Sequence, residues 1–147
     1  MISRWNAAGC FAMAALSLAM ALGCGDGRPK RVPVSGQVLI DGKPLTLGAV
    51  RLIPRGARPS VGQLDEQGRF QLTCFESEDG SVEGEHRVAV VAVEPINDRA
   101  RRWHAPKKYA NPATSGLTTT INGETDDLVI ELTWSGGKPF VERTMGE

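Results

Sequence analysis

The densest group of chemically capable side chains is NDRARRWHAPKKY, residues 97–109. Arg99, Arg101, Arg102, Lys107 and Lys108 surround Trp103, His104 and Tyr109. Guanidinium and ammonium groups meet phosphate, carboxylate or sulfate, and aromatic rings among them add cation–π contacts and an amphipathic face. The stretch is therefore a candidate surface for anionic lipid headgroups, an acidic glycan or an acidic protein partner. The plain alternative is a solvated connection with Trp103 folded onto the body of the domain.

Other reactive residue types stand alone. Cys74 alternates with Phe70 and Leu72, which reads as a small buried hydrophobe, and its neighbours Thr73, Phe75 and Glu76 supply no base. His86 shares strand parity with Val88 and Val90, and His104 lies in a different segment. No HxH, HExxH or cysteine pair is present for zinc, and Ser60, Ser77, Ser81 and Ser115 lie in no GxSxG context. Asp65 and Glu66, and the group Glu124, Asp126 and Asp127, have no EF-hand spacing and read as solvated turns. These residues predict no catalytic centre, no metal and no cofactor.

The elements that must position these side chains follow a period of two. VPVSGQVLI places Val32, Val34, Val38 and Ile40 on one face, and Asp41-Gly42 is a strong turn signal. AVRLIP (49–54), SVGQL (60–64) and RFQLTCF (69–75) follow, the last two joined by a hairpin connection with Gly68. EHRVAVVAVE (85–94) is the longest and most valine-rich segment and predicts a central strand. A long loop spans Pro95 to Pro112. SGLTTTI and LVIELTW then form a last pair around Asn122-Gly123, with Leu128, Ile130, Leu132 and Trp134 inward. The expectation is an all-β, seven-stranded sandwich over residues 32–134, with a mobile, apolar-poor tail from 135 to 147.

Composition narrows the function. The 147 residues leave room for one domain and carry zero formal net charge, so nucleic acid is not an expected partner. Residues 1–23 read as a secretory signal, with Arg4 ahead of FAMAALSLAMAL, a core shorter than the ~20 residues a membrane span needs. Cleavage there removes one of the 17 basic residues and none of the 17 acidic ones, so the remaining chain has a formal charge of −1.

The boundary Ala21-Leu22-Gly23-Cys24 resembles the lipobox of bacterial lipoproteins. In that family the cysteine thiol receives a diacylglyceryl group, the signal is cut before it, and the new amine is often acylated. Two or more acyl chains make a lasting anchor where one holds only marginally. Residues 24–31 would then be the lipidated cysteine and a hydrated tether. Lipoboxes most often carry Leu where this chain has Ala21, and Ala21-x-Gly23 also fits an ordinary signal-peptidase site that would leave a soluble exported protein.

VSGQVLIDGKPL, LDEQGRFQL, EDGSVEGEHRVAV and above all PKKYANPATSGLT resemble short bacterial lipoproteins with a carboxypeptidase regulatory-like domain. The resemblance implies a transthyretin-like, or Ig-like, β-sandwich of seven strands and a place in the cell envelope, on the inner or outer membrane. It implies no activity: the purine-pathway hydrolases among transthyretin-like proteins end in a YRGS-type signature, whereas this chain ends VERTMGE. The expected function is a monomeric, membrane-anchored, non-catalytic binding or structural module. The alternative is an accessory domain of an envelope enzyme or transport system.

Overall fold

The computed structural model describes residues 27–144. The signal segment 1–23, Cys24 and residues 145–147 lie outside the described residues. The chain is all-β, with one short 3₁₀ turn and no α-helix among the described residues. Pro33, which has no N–H to give a ladder, separates β1 (Arg31–Val32) from β2 (Val34–Ile40). Asp41 and Gly42 then turn the chain with φ of 48° and 78°, as the Asp-Gly signal predicts, into β3 (Lys43–Pro44). β4 (Ala49–Pro54), β5 (Ser60–Gln63), β6 (Arg69–Gln71), β7 (Ser81–Val82) and β8 (Gly84–Val91) follow. The remaining strands are β9 (Val93–Asn97), β10 (Ala100–Trp103), β11 (Leu117–Ile121), β12 (Thr125–Leu132) and β13 (Phe140–Arg143).

Two larger sheets carry the core. One has the order β11-β8-β4-β5, so β8 lies centrally, as its run of valines predicts. The other has the order β12-β2-β3, with β6 also pairing β2. Val50, Leu52, Val88, Val90 and Ile121 from the first sheet and Val34, Val38, Ile130 and Leu132 from the second join one apolar cluster. Complete burial of side chains such as Leu52 and Leu72 contributes roughly 1.5–3 kcal/mol each.

Three expectations change. The segments on either side of Asn122-Gly123 do not pair with each other: β11 is antiparallel to β8, whereas β12 crosses to the other sheet and lies parallel to β2. β5 and β6 likewise belong to different sheets, pairing β4 and β2, and one bridge between Val61 and Thr73 joins them. An apolar alternation states which face is buried but not which neighbour supplies the hydrogen bonds. The third change concerns the stretch read as a loop and the tail read as mobile. β9 and β10 form a hairpin, and β13, from the tail, pairs with β10 to complete a three-stranded sheet.

The ends of the domain are distinct. β8 starts at Gly84 opposite Ile121 and finishes at Val91 opposite Ala49, a run of eight residues or about 26 Å. β1, where the described chain enters, pairs with β7 just before the start of β8. The β9-β10-β13 sheet begins just past the other end of β8. The chain entry and the cation-rich segment therefore occupy opposite poles.

Candidate functional site: a cationic three-stranded sheet

The six residues singled out from sequence fall on one substructure. Arg101, Arg102 and Trp103 are in β10, Arg99 is in the turn before it, and Lys107 and Lys108 open the 3₁₀ turn Lys107–Ala110. Trp103 anchors the group. It is only 7% exposed, stacks at 6.4 Å and 15° on Phe140 of β13, and donates its indole N–H to Glu142 Oε2 at 3.0 Å. Trp134 also meets Phe140, in an edge-to-face arrangement with centroids 6.5 Å apart. The plain alternative, a solvated connection with Trp103 on the body of the domain, changes: Trp103 lies in a strand outside the main apolar cluster, and its cover is the tail strand.

Glu142 is the electrostatic hub. It accepts from Arg101 Nε at 2.8 Å and from Lys107 Nζ as well as from Trp103. The Lys107 bond, then the Trp103 and Arg101 bonds, hold its carboxyl well below the usual range, at about 2. Glu94 of β9 is the second counter-charge, bonded by His104 at 3.0 Å and Arg102 at 3.4 Å, and its carboxyl is held down by the His104 bond and then by the Arg102 charge. Arg101, Arg102 and Lys107 are thus partly neutralised within the sheet. Arg99 and Lys108 make no ion pair among the described residues, and the Lys108 ammonium lies 4.8 Å from the Tyr109 ring centroid. Ile96, Phe140 and Val141 are exposed beside these cations. The surface combines fixed cations with apolar area, a combination suited to an anionic partner.

Since the folded-state Glu142 carboxyl is depressed, its contribution to stability is complete above the ordinary carboxylate range and is lost as pH falls toward about 2. Amide protection in β10 and β13 is accordingly expected to decline progressively as pH falls from the ordinary carboxylate range, near 4.5, toward about 2. Hydrogen exchange followed by mass spectrometry measures it. Glu142→Gln should remove that pH dependence.

The turn after the 3₁₀ segment is fixed by its own polar side chains. Asn111 accepts from the Ala113 and Ser115 amides, and Ser115 Oγ donates to the Val88 carbonyl at 2.6 Å. The Tyr109 ring is buried, and its hydroxyl exchanges hydrogen bonds with the Thr133 backbone at 3.2 and 3.3 Å. YANPATSGL is therefore fold punctuation that sets where Lys107 and Lys108 emerge.

The solitary reactive residues stay apart from this sheet. Cys74 is buried, with its thiol 3.7 Å from the Arg58 carbonyl. His86 is fully buried and donates Nε2–H to the Val82 carbonyl at 2.9 Å, and desolvation pushes its pKa down. Asp65 caps its own turn by accepting from the Gln67 and Arg69 amides, each at 2.8 Å. Among the described residues no three or more His, Cys, Asp or Glu lie close enough together to hold a metal ion.

Sequence reading missed Glu94, Glu142 and Phe140. A signal for the last two was present, since KPFVER alternates Phe140 and Glu142 against Val141 and Arg143. In length and polarity the tail resembled a terminus with nothing to pair. No family model, curated protein or solved structure matches the chain.

Proposed function

We propose that the chain is a membrane-anchored envelope lipoprotein, held by acyl chains on Cys24, whose β-domain is a non-catalytic module that binds an acidic glycan or an acidic protein. The observation that carries the binding reading is the distal sheet, where Trp103 and Glu142 fix the cations and Arg99 and Lys108 remain without carboxylate partners among the described residues. Its position at the pole opposite the chain entry directs it away from a bilayer attached at Cys24 and toward partners beyond it. The transthyretin-like, seven-strand sandwich belongs to the same proposal. Two larger sheets sharing one core and the ordered YANPATSGL turn support it.

The test uses heparin as an acidic-glycan probe and a polyglutamate peptide as an acidic-protein probe. Binding is expected to weaken steeply between low and moderate salt, since exposed charges are screened over about 10 Å at 0.1 M. The double variant Arg99→Glu with Lys108→Glu spares the Glu142 hub and is expected to reduce affinity at least about tenfold, a loss of roughly 1.4 kcal/mol. If the wild-type chain binds neither probe at low salt, the binding reading fails.

A further inference from the structure

The two edges of the distal sheet differ. Thr144 donates its amide to the Arg99 carbonyl at 2.8 Å, in the register that sets Glu142 opposite Arg101 and Phe140 opposite Trp103. Hydrogen-bonded and non-bonded pairs alternate in an antiparallel ladder, so Phe140, Glu142 and Thr144 turn their N–H and C=O groups toward β10. Val141 and Arg143 turn theirs away from it. β13 ends the order β13-β10-β9, so both N–H donors and both C=O acceptors of Val141 and Arg143 face outward with no backbone partner among the described residues.

The opposite edge is blunted. His104 donates to the Ala92 carbonyl at 2.9 Å and Glu94 lies opposite Arg102, which makes Val93 and Pro95 the outward positions of β9. Pro95 has no N–H to offer, a recurrent protection of exposed edges. β12 is also an edge strand, but the exposed carboxylates of Asp126, Asp127 and Glu131 line it and repel an acidic chain.

The side chains of β13 complement one kind of strand. Val141, 44% exposed, and Arg143 stand on one face, and Phe140, 40% exposed, stands with Glu142 on the other. Glu142 is occupied by Arg101, Trp103 and Lys107. Arg143, Arg99 and Lys138 are exposed around the edge and make no ion pair among the described residues. An unprotected edge bordered by unpaired cations and apolar side chains fits an extended peptide that carries carboxylates and apolar residues in alternation.

We infer that an extended acidic segment of a partner protein adds to β13 as an antiparallel fourth strand of the distal sheet, which deepens the reading of that sheet as an acidic-partner surface and rests on it. Main-chain bonds to Val141 and Arg143 hold the segment, and alternate side chains select it. A carboxylate lies opposite Arg143, an apolar residue two positions later lies opposite Val141, and an aromatic residue follows beside Phe140. The residue opposite Glu142 is neutral, because like charges directly opposite repel. A glycan lacks the alternating amide donors and acceptors of a strand, so the edge favours protein.

The experiment measures amide exchange by nuclear magnetic resonance on the full chain, with the peptide Glu-Asp-Thr-Val-Phe-Thr-Glu as probe. In the free chain the Val141 and Arg143 amides are expected to exchange faster than that of Glu142, and saturating peptide should slow them at least about tenfold. N-methylation of the peptide at Asp and Val blocks the amides that face β13 and should weaken binding at least about tenfold. N-methylation at Thr and Phe leaves charge and side chains the same, modifies amides that point away, and should be tolerated. Val141→Pro removes an outward N–H without touching the bonds to β10, and should weaken the peptide while the Glu142 amide stays protected. Equal binding of the two methylated peptides, or bound peptide with unchanged exchange at Val141 and Arg143, overturns the strand inference and leaves the acidic-surface reading standing. Failure of the peptide, heparin and polyglutamate alike overturns both. Protection of Val141 and Arg143 that rises with protein concentration alone identifies a second copy as the occupant and overturns the inference.

Discussion

Gly80→Ala is expected to destabilise the domain by about 2–5 kcal/mol. Gly80 has φ of +85°, and a Cβ at this position would lie 1.8 Å from the Val32 carbonyl oxygen and 2.8 Å from the Pro33 Cα. The left-handed conformation alone costs an L-residue roughly 1–2 kcal/mol. The clash adds a further 1–3 kcal/mol or so, because backbone, unlike a flexible side chain, cannot step aside without breaking its ladder. That ladder joins β1 to β7, and Gly80 also donates its amide to the Leu72 carbonyl at 2.9 Å. Gly42→Ala is the control: its φ of +78° carries the same conformational strain, but nothing lies within 4 Å of the new Cβ. Urea unfolding of the two variants should differ by the clash term. Equal losses would show that the β1–β7 approach is looser than described.

Trp103→Ala is expected to release the β13 strand and, with it, the distal surface. The change removes the stack on Phe140, the bond to Glu142 and the ring over which Arg101 and Lys107 lie at 6.0 and 5.4 Å. Deleting a buried tryptophan costs about 3–5 kcal/mol. Trp103 stands outside the apolar cluster shared by the two larger sheets, so the loss should appear as opening of the small sheet with the main body intact. Hydrogen exchange should accelerate in residues 100–103 and 140–143 while β8 and β4 stay protected. Binding to the acidic probes should fall with it. Trp103→Phe keeps the stack, loses only the N–H bond, and should give a small fraction of both effects. Uniform loss of protection across β8 and β4 would place Trp103 in the main core instead.

These two positions also mark how much was legible beforehand. Period two along VPVSGQVLI, AVRLIP and EHRVAVVAVE identified the strands that make the core, because burial of one face leaves a local record in the residue types, but it did not report the breaks at Pro33 and Ala92 that divide the first and last of them. The Asp41-Gly42 turn was equally local. Pairing partners were not: β12 runs parallel to β2, more than ninety residues away in sequence, and no adjacent residue reports that choice. The cations Arg99, Arg101, Arg102, Lys107 and Lys108 were visible as a composition feature. The carboxylates that tame them were not, since Glu142 reaches Arg101 across 41 residues and Glu94 is a single acid in an apolar run. The grouping of Arg28, Arg31 and Arg58 about the Phe75 ring escaped for the same reason, the arginines arriving from both the entry segment and the β4–β5 turn.

The reading of the β9-β10-β13 sheet as a surface turned away from the membrane and toward a partner depends on where the chain is fastened. The most direct measurement is the intact mass and N-terminal fragment spectrum of the protein extracted from envelope membranes. A chain beginning at Cys24 and carrying diacylglyceryl on the thiol, with an acyl group on the amine where that second step occurs, is the predicted result. A mature chain that begins at another residue with no lipid mass would contradict it.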